Sequence, residues 1–367
     1  MAGSTIGKNI VLTTWGESHG AALGVVVDGF PAGMDLNEKD IQAFLDRRKP
    51  GTSSATTSRK EDDLVEILSG VFEGKTTGTP ISLIVRNTSQ RSSDYNEIAK
   101  CYRPGHADFG FDRKYGFRDH RGGGRSSGRE TVGRVAAGAL CSKLLGEMGI
   151  TVTAYTKSIG DVEIDPSSFD ADLRLATATA MPDAEADKRA MELISRCREE
   201  NDSVGGVIEC RIKGVPAGVG EPVFDKLDAL LARAVMSIGA VKAVEIGDGC
   251  LVSLYHGSDN NDPFESDGLN IYKKSNHSGG ILGGMSDGSE IIVRAYVKPT
   301  PSIFRTQDTV SIDGENISIN IKGRHDPVVV PRAVVVVESM CAHVLLDLMI
   351  SNMSSRAESI KHFYGKE

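Results

Sequence analysis

VVVDGFPAGMDL, residues 25–36, returns in altered form as IECRIKGVPAGVGEP at 208–222. Each copy is an apolar run with strand character that enters a G-x-P-A-G turn and leads toward a helix. Self-similarity at this distance points to two related halves. The competing reading is that P-A-G is simply a common turn before a helix, because proline presets φ and glycine supplies the left-handed conformation. Working outward, short apolar runs predict strands at 10–15, 23–30, 81–86, 206–215, 290–297 and 333–339 (AVVVVES). Helical patterns lie between them at 38–48, 184–200, 222–236 and 340–355. The clearest helix begins near Ser127, where Ser127-x-x-Glu130 reads as a capping box, followed by Val132, Val135, Ala136, Ala139, Leu140 and Leu144 on one face. No long low-complexity linker interrupts residues 1–367, so the chain is expected to form one domain. Gly, Ser, Asn and Asp give 49–60, 87–128, 257–289 and 298–327 the strongest loop character.

Composition narrows the class of function. Of the 367 residues, 40% are hydrophobic and 25% charged, the balance of a globular protein, and the net charge is -8. Such an acidic molecule repels nucleic acid and anionic membranes, so neither is expected as a partner. No apolar run resembles a signal peptide or membrane span, and a cytoplasmic location is expected. Six scattered cysteines form no C-x-x-C pair and no Cys/His group at zinc spacing; reduced, buried thiols and no metal are expected.

Positive charge is nevertheless concentrated. Between Lys100 and Arg134, nine Lys/Arg stand against four acids, and RRKPG at 47–51 adds a second basic knot. RGGGRSSGRETVG (121–133) places five glycines and two serines ahead of a helix, so backbone N–H groups and the helix end can face an anion. It lacks the G-K-[ST] ending of a nucleotide P-loop. A solvated basic face and an RNA-tracking Arg/Gly segment are the alternatives, the latter weakened by the acidic total.

GESHG (16–20) fits the G-x-S-x-G pattern of hydrolase elbows, but only fifteen residues precede it, and no later histidine completes a serine, acid, histidine order. His19 is the better candidate for proton chemistry, with His106 of RPGHADF as a second.

Together these stretches resemble the chorismate synthase family. The likeness runs through GESHGAALGVVVDGFPAG (16–33), RRKPGTSS (47–54), SGVFEGKTTGTPI (69–81), RPGHADF (103–109), GGRSSGRETVGRVAAGA (123–139), AVKAVEIGDG (240–249), SNHSGGILGG (275–284), KPTPSI (298–303) and GRHDPVVVPRAVVVVES (323–339). The resemblance implies an α+β sandwich of internally repeated helices covered by antiparallel sheets, and a homotetramer. It implies loss of phosphate from 5-enolpyruvylshikimate 3-phosphate by anti-1,4-elimination to give chorismate, with reduced FMN (FMNH2) and no net redox change. NADPH as the reductant is left open. By the same resemblance His19, His106 and Asp326 are catalytic, with Ser18 and Ser127 positioning them. FMN falls to Arg125, Ser126, Ser127, Gly239, Ala240, Gly283, Lys298, Pro299, Thr300, Pro301, Ser302 and Arg324, and substrate anions to Arg48, Arg129 and Arg332. Two departures stand out: Ser54 replaces a common arginine, and Pro301 replaces a common serine, removing a hydroxyl and an N–H.

Overall fold

A computed structural model of the chain describes residues 3–51, 62–87, 98–321 and 326–365. Its two halves repeat one order of elements. The first runs β1 (Val11–Gly16), β2 (Ala22–Asp28), α1 (Glu38–Arg48), β3 (Val65–Ser69), β4 (Ile81–Arg86) and α2 (Thr131–Glu147). The second runs β5 (Thr151–Ile159), β6 (Gly206–Lys213), α3 (Leu227–Met236), β7 (Val241–Ile246), β8 (Ile291–Val297) and α4 (Val330–Asn352). The sheets have matching strand orders, β1-β2-β4-β3 and β5-β6-β8-β7, and all these pairings are antiparallel. In the first sheet, short Thr5–Ile6 adds an edge; in the second, Val162–Glu163 does.

Two central helices lie between the sheets: α2 packs against β2 and α4 against β5 and β6, while α2 and α4 cross each other. Their sequences explain the position. Val132, Val135, Ala136, Ala137, Ala139, Leu140 and Cys141 are all buried, so most of α2 is enclosed, as expected of a helix at the centre of a domain. The crossing is close. A Cβ on Gly138 would stand 2.2 Å from Ser339 Cβ.

The segment 333–339 is helical, in contrast to the strand its valines suggest. Periodicity cannot separate a short buried strand from a buried helix. Here Pro331 sits in the first turn of a helix that continues through Met340–Asn352, and burial on all sides outweighs the β-preference of Val334–Val337. This helix is long and apolar enough to cross a membrane, but 83% of its most apolar window is buried inside the protein. The strand expectations at 10–15, 23–30, 81–86, 206–215 and 290–297 match β1, β2, β4, β6 and β8 closely. Antiparallel hairpins at Phe264–Lys273 and Thr306–Asn320 occupy stretches that read as loops. All six cysteines are free; four are buried, Cys197 is half-buried and Cys250 is exposed, against the expectation for those two.

The two P-A-G turns are held by the same hydrogen bonds. Thr76 Oγ1 donates to Pro31 O (2.8 Å) and accepts from Met34 N (3.0 Å). Ser286 Oγ donates to Pro216 O (2.6 Å) and accepts from Val219 N (2.9 Å). The glycines following each strand, Gly29 and Gly214, both have positive φ, and a Cβ on either would strike a backbone carbonyl of the preceding segment.

Candidate active site

GESHG forms the tight turn between antiparallel β1 and β2. This is a hairpin, not the strand-to-helix bend that presents a nucleophilic serine. Gly16 (φ +88) begins it, since a Cβ there would lie 2.3 Å from Ala22 O. Ser18 and His19 are buried, and Ser18 Oγ lies 3.1 Å from His19 Nδ1. The glycine run closes over the imidazole. Gly122, Gly123 and Gly124 all have positive φ, and a Cβ on Gly122 would come within 2.2 Å of His19 Cε1. Only glycine allows that approach.

A continuous series of polar contacts leads away from this turn. Asn87 Nδ2 donates to Glu17 O (3.2 Å) and Gly20 O (2.8 Å), while its Oδ1 accepts from Arg129 Nε (2.8 Å). Arg129 Nη1 reaches Asp63 Oδ1 (2.7 Å), and Arg48 Nη2 reaches Asp63 Oδ2 (2.6 Å). All three charged side chains are buried. Burial alone would favour a neutral Asp63, but the two guanidiniums outweigh it and hold its carboxyl below the usual carboxylate range. Arg48 is pushed down to about 10 by burial and by neighbouring Arg332 and Arg129, with Asp63 opposing, so it stays charged at neutral pH. Its buried Nε has no hydrogen-bond partner among the described residues. Arg332 extends the series: Nε donates to Arg48 O (3.1 Å) and Nη1 pairs with Asp326 Oδ2 (2.5 Å). Thus the turn that carries Ser18 and His19 is linked by successive contacts to Arg129, Arg48, Arg332 and Asp326.

The second histidine belongs to an adjoining group. Arg103 grips Asp108 through Nε and Nη2, both at 2.7 Å, which fixes the RPGHAD loop. Inside it His106 Nδ1 donates to Pro104 O (3.0 Å), leaving Nε2 to accept from Ser302 Oγ (3.0 Å). Burial, then Arg103, lower the His106 imidazole to about 4, so it is neutral at pH 7. Lys298 Nζ donates to Gly105 O (3.0 Å), its backbone N donates to Ala240 O (2.9 Å), and Pro301 packs against Gly105. The glycine run joins the two groups, because a Cβ on Gly123, next to Gly122 at His19, would lie 3.7 Å from Arg103 Nη2.

The arginine-rich segment is less open than its charge suggests. Arg103, Arg118, Arg121 and Arg134 pair with Asp108, Asp112, Asp119 and Glu130, so all four local acids are taken up by local arginines. Arg125 clasps Thr14 Oγ1 (2.7 Å), Thr14 O (3.2 Å) and Gly16 O (3.1 Å), tying the glycine run to β1. The expected capping box is half formed: Ser127 Oγ accepts from Arg129 N (3.3 Å), but Glu130 turns to Arg134. Arg134 in turn donates to Ser237 Oγ (2.6 Å), bringing the end of α3, with Gly239 and Ala240, beside the start of α2. Ser126 Oγ donates to Gly123 O (2.8 Å). Gly283 sits in the hairpin that braces the second P-A-G turn, and no described contact joins it to either histidine group. Arg324 and Ser54 lie outside the described residues. Asp63 and Asn87 were not expected from sequence. Nothing local separates Asp63 from Asp62; only the need of two buried arginines for a carboxylate singles it out.

The surroundings of 298–302 fit a flat, phosphate-bearing flavin. Thr300 Oγ1 is buried with no partner among the described residues, and a Cβ on Gly239, next to the Ala240 that accepts from Lys298 N, would meet nothing within 4 Å. Lys298 pairs with no carboxylate among the described residues and offers a compact charge for a phosphate.

An α+β sandwich that sets one buried and one half-buried imidazole in loops rich in glycine and arginine is the frame of an enzyme that handles protons on a small polyanion. The chain belongs to the chorismate synthase family, whose profile matches residues 10–350. It is 60% identical to the chorismate synthase of Lachnoclostridium phytofermentans over 367 residues, covering 100% of both chains. It is 54% identical to that of Methanocella arvoryzae over 355 residues, covering 96% of this chain and 95% of the relative. A crystal structure of a chorismate synthase superposes with a TM-score of 0.77 at 32% identity, covering 97% of this chain and 96% of that one.

Proposed function

We propose that this chain converts 5-enolpyruvylshikimate 3-phosphate to chorismate by anti-1,4-elimination of phosphate, in the shikimate route to aromatic amino acids. The observation that carries the reading is the unbroken series from the His19 turn through Arg129, Asp63 and Arg48 to Arg332 and Asp326. Arg48 and Arg129 attract the carboxylates and phosphate of the substrate, since forked guanidiniums match such anions. His19, oriented by Ser18 and shielded by Gly122, is the acid that protonates departing phosphate. His106 is neutral and carries its proton on Nδ1, so its Nε2, shared with Ser302, is the atom that holds or passes a proton. Asp326, steered by Arg332, assists removal of the C6 hydrogen.

Lys298, Pro299, Thr300, Pro301 and Ser302, with Arg125, Ser126, Ser127, Gly239, Ala240, Gly283 and Arg324, are the positions assigned to reduced FMN. When bound, it supplies transient electron density that eases loss of the phosphate. In this reading the enzyme is cytoplasmic and assembles as a homotetramer; NADPH is the candidate reductant of its flavin, to be decided by assay. Apolar side chains left in the open, such as Phe224 and Leu269, are 91% and 94% exposed and suit burial between subunits. Sequence repeats and matching turns are in keeping with one domain, 1–367, that arose by duplication.

The test is an anaerobic assay with the enolpyruvyl substrate and chemically reduced FMN, following phosphate and chorismate together and repeated with NADPH and oxidised FMN. His19→Ala and His106→Ala should each slow turnover by roughly 10²- to 10⁴-fold, the range for losing one general acid or base. Undiminished turnover in both variants removes the assigned proton roles.

A further inference from the structure

A cavity of about 260 Å³, which shares Arg332 with the series described above, opens between the end of α1, the loop at 174–180, β5 and the first turns of α4. Its walls combine three guanidiniums, those of Arg47, Arg174 and Arg332, with the apolar side chains of Leu175, Val334 and Val335. Two of the three cations are already matched. Arg47 makes a two-pronged pair with Glu338 at 2.6 and 3.0 Å, and Arg332 holds Asp326. Asp46, the acid in the wall, is engaged by Lys49 at 2.8 Å. Arg174 has no such partner: its Nη1 is buried without an acceptor among the described residues. Burial and the neighbouring Arg47 disfavour its charge, against the pull of Glu338.

A buried donor left without an acceptor is costly, and native proteins rarely keep one unless something else satisfies it. The cavity also receives the N-terminal end of the 23-residue helix α4, where partial positive charge favours anions. Walls that are cationic at one side and aliphatic at the other select a ligand with the same division. We propose that this cavity is a binding site for a small carboxylate, whose oxygens accept from Arg174 and whose apolar body lies against Leu175, Val334 and Val335.

4-Bromobenzoate is a suitable probe, because its carboxylate and ring have that division and bromine is located by anomalous scattering. The expected result is bromine density in the cavity of a soaked crystal and a calorimetric Kd that weakens roughly 10- to 100-fold in Arg174→Gln, the range for deleting a hydrogen bond to a charged group. Turnover and thermal midpoint of Arg174→Gln should stay near wild type, showing that the variant is folded. Three outcomes overturn the proposal: bromine only beside Arg48 and Arg129, an affinity unchanged by Arg174→Gln, or Arg174-dependent binding of inorganic phosphate with none of the carboxylate. Binding at crystal concentration only, without a calorimetric signal, overturns it as well.

Discussion

At β2 and β6 the two halves of the chain share a backbone and part company in chemistry. When Pro31 is aligned with Pro216, Gly24 falls opposite Glu209. Gly24 leaves its face of the sheet to the indole of Trp15, whose Cζ2 would lie 2.4 Å from a Cβ there. Glu209 instead buries a carboxylate that takes Arg294 at 2.6 Å, Arg211 at 2.9 Å and the Tyr155 hydroxyl. The first half keeps its own buried carboxylate, Asp63, outside the sheet, between Arg48 and Arg129 and linked through Asn87 to the His19 turn. These two buried carboxylates thus serve different ends, Glu209 bracing the frame and Asp63 anchoring the arginines of the site. The connections differ in the same sense. β1 and β2 are joined by the five-residue GESHG turn region, whereas β5 and β6 are separated by a long excursion containing the helix Ala184–Glu199.

Removing each carboxylate breaks this comparison most sharply. Asp63→Ala and Glu209→Ala should both destabilise by about 3–5 kcal/mol, the range for stripping one partner from a buried ion pair, read by chemical denaturation. Only Asp63→Ala should also raise KM for the substrate when assayed well below its denaturation midpoint, because Arg48 and Arg129 lose their common anchor. An equal rise in KM for Glu209→Ala would erase the division between frame and site.

The junction of the halves gives the next effect. At the α2–α4 crossing, Gly138→Ala drives a methyl to 2.2 Å from Ser339 Cβ and 2.6 Å from its Cα. Two enclosed helices cannot part without disturbing both sheets. Overpacking of this kind costs about 1–3 kcal/mol, despite alanine's better helix propensity. A Tm equal to or above wild type would show that the helices are not in this contact.

How far the sequence exposes these features depends on whether they are local. The P-A-G turns are local, carried by proline and glycine, and the repeated frame can be read from them. GESHG and RPGHAD mark their histidines by placing small residues beside an imidazole. Asp63 and Asn87 leave no such trace, since they matter only because the chain brings Arg129 to them from 66 and 42 residues away. The helical state of 333–339 is hidden for a related reason: its valines favour a strand, and only enclosure between two sheets reverses that preference. Even the basic segment 100–134 misleads when counted, because each of its acids is paired with a neighbouring arginine.

The matching turns provide a gentler test of likeness. Thr76→Val and Ser286→Ala each remove a hydroxyl that serves one carbonyl and one N–H. Each should cost about 1–2 kcal/mol, as expected for leaving buried backbone groups unsatisfied. The two losses should agree within about 0.5 kcal/mol and add in the double variant, since separate sites without shared partners are additive. Strongly unequal losses would mean that the turns share a shape but not a structural role.

The effect confined to acid pH concerns His106. Its folded imidazole titrates near 4, below the ordinary 6.5, chiefly because burial and then Arg103 disfavour the cation. Between those two values the unfolded chain binds a proton that the folded protein refuses, so this residue makes stability fall as pH drops from about 6.5 toward 4. Above 6.5 both states are neutral at this site and the contribution is flat. His106→Gln cannot titrate, and its Tm should therefore decline less steeply than wild type across that window while matching its slope from pH 7 to 8. If the wild-type and variant curves run parallel from pH 6.5 to 4, the imidazole is not held neutral, and the assignment of Nε2 as the proton-accepting atom fails with it. A steeper decline in the variant would defeat that assignment too, because it would mean that folding had favoured the charged ring.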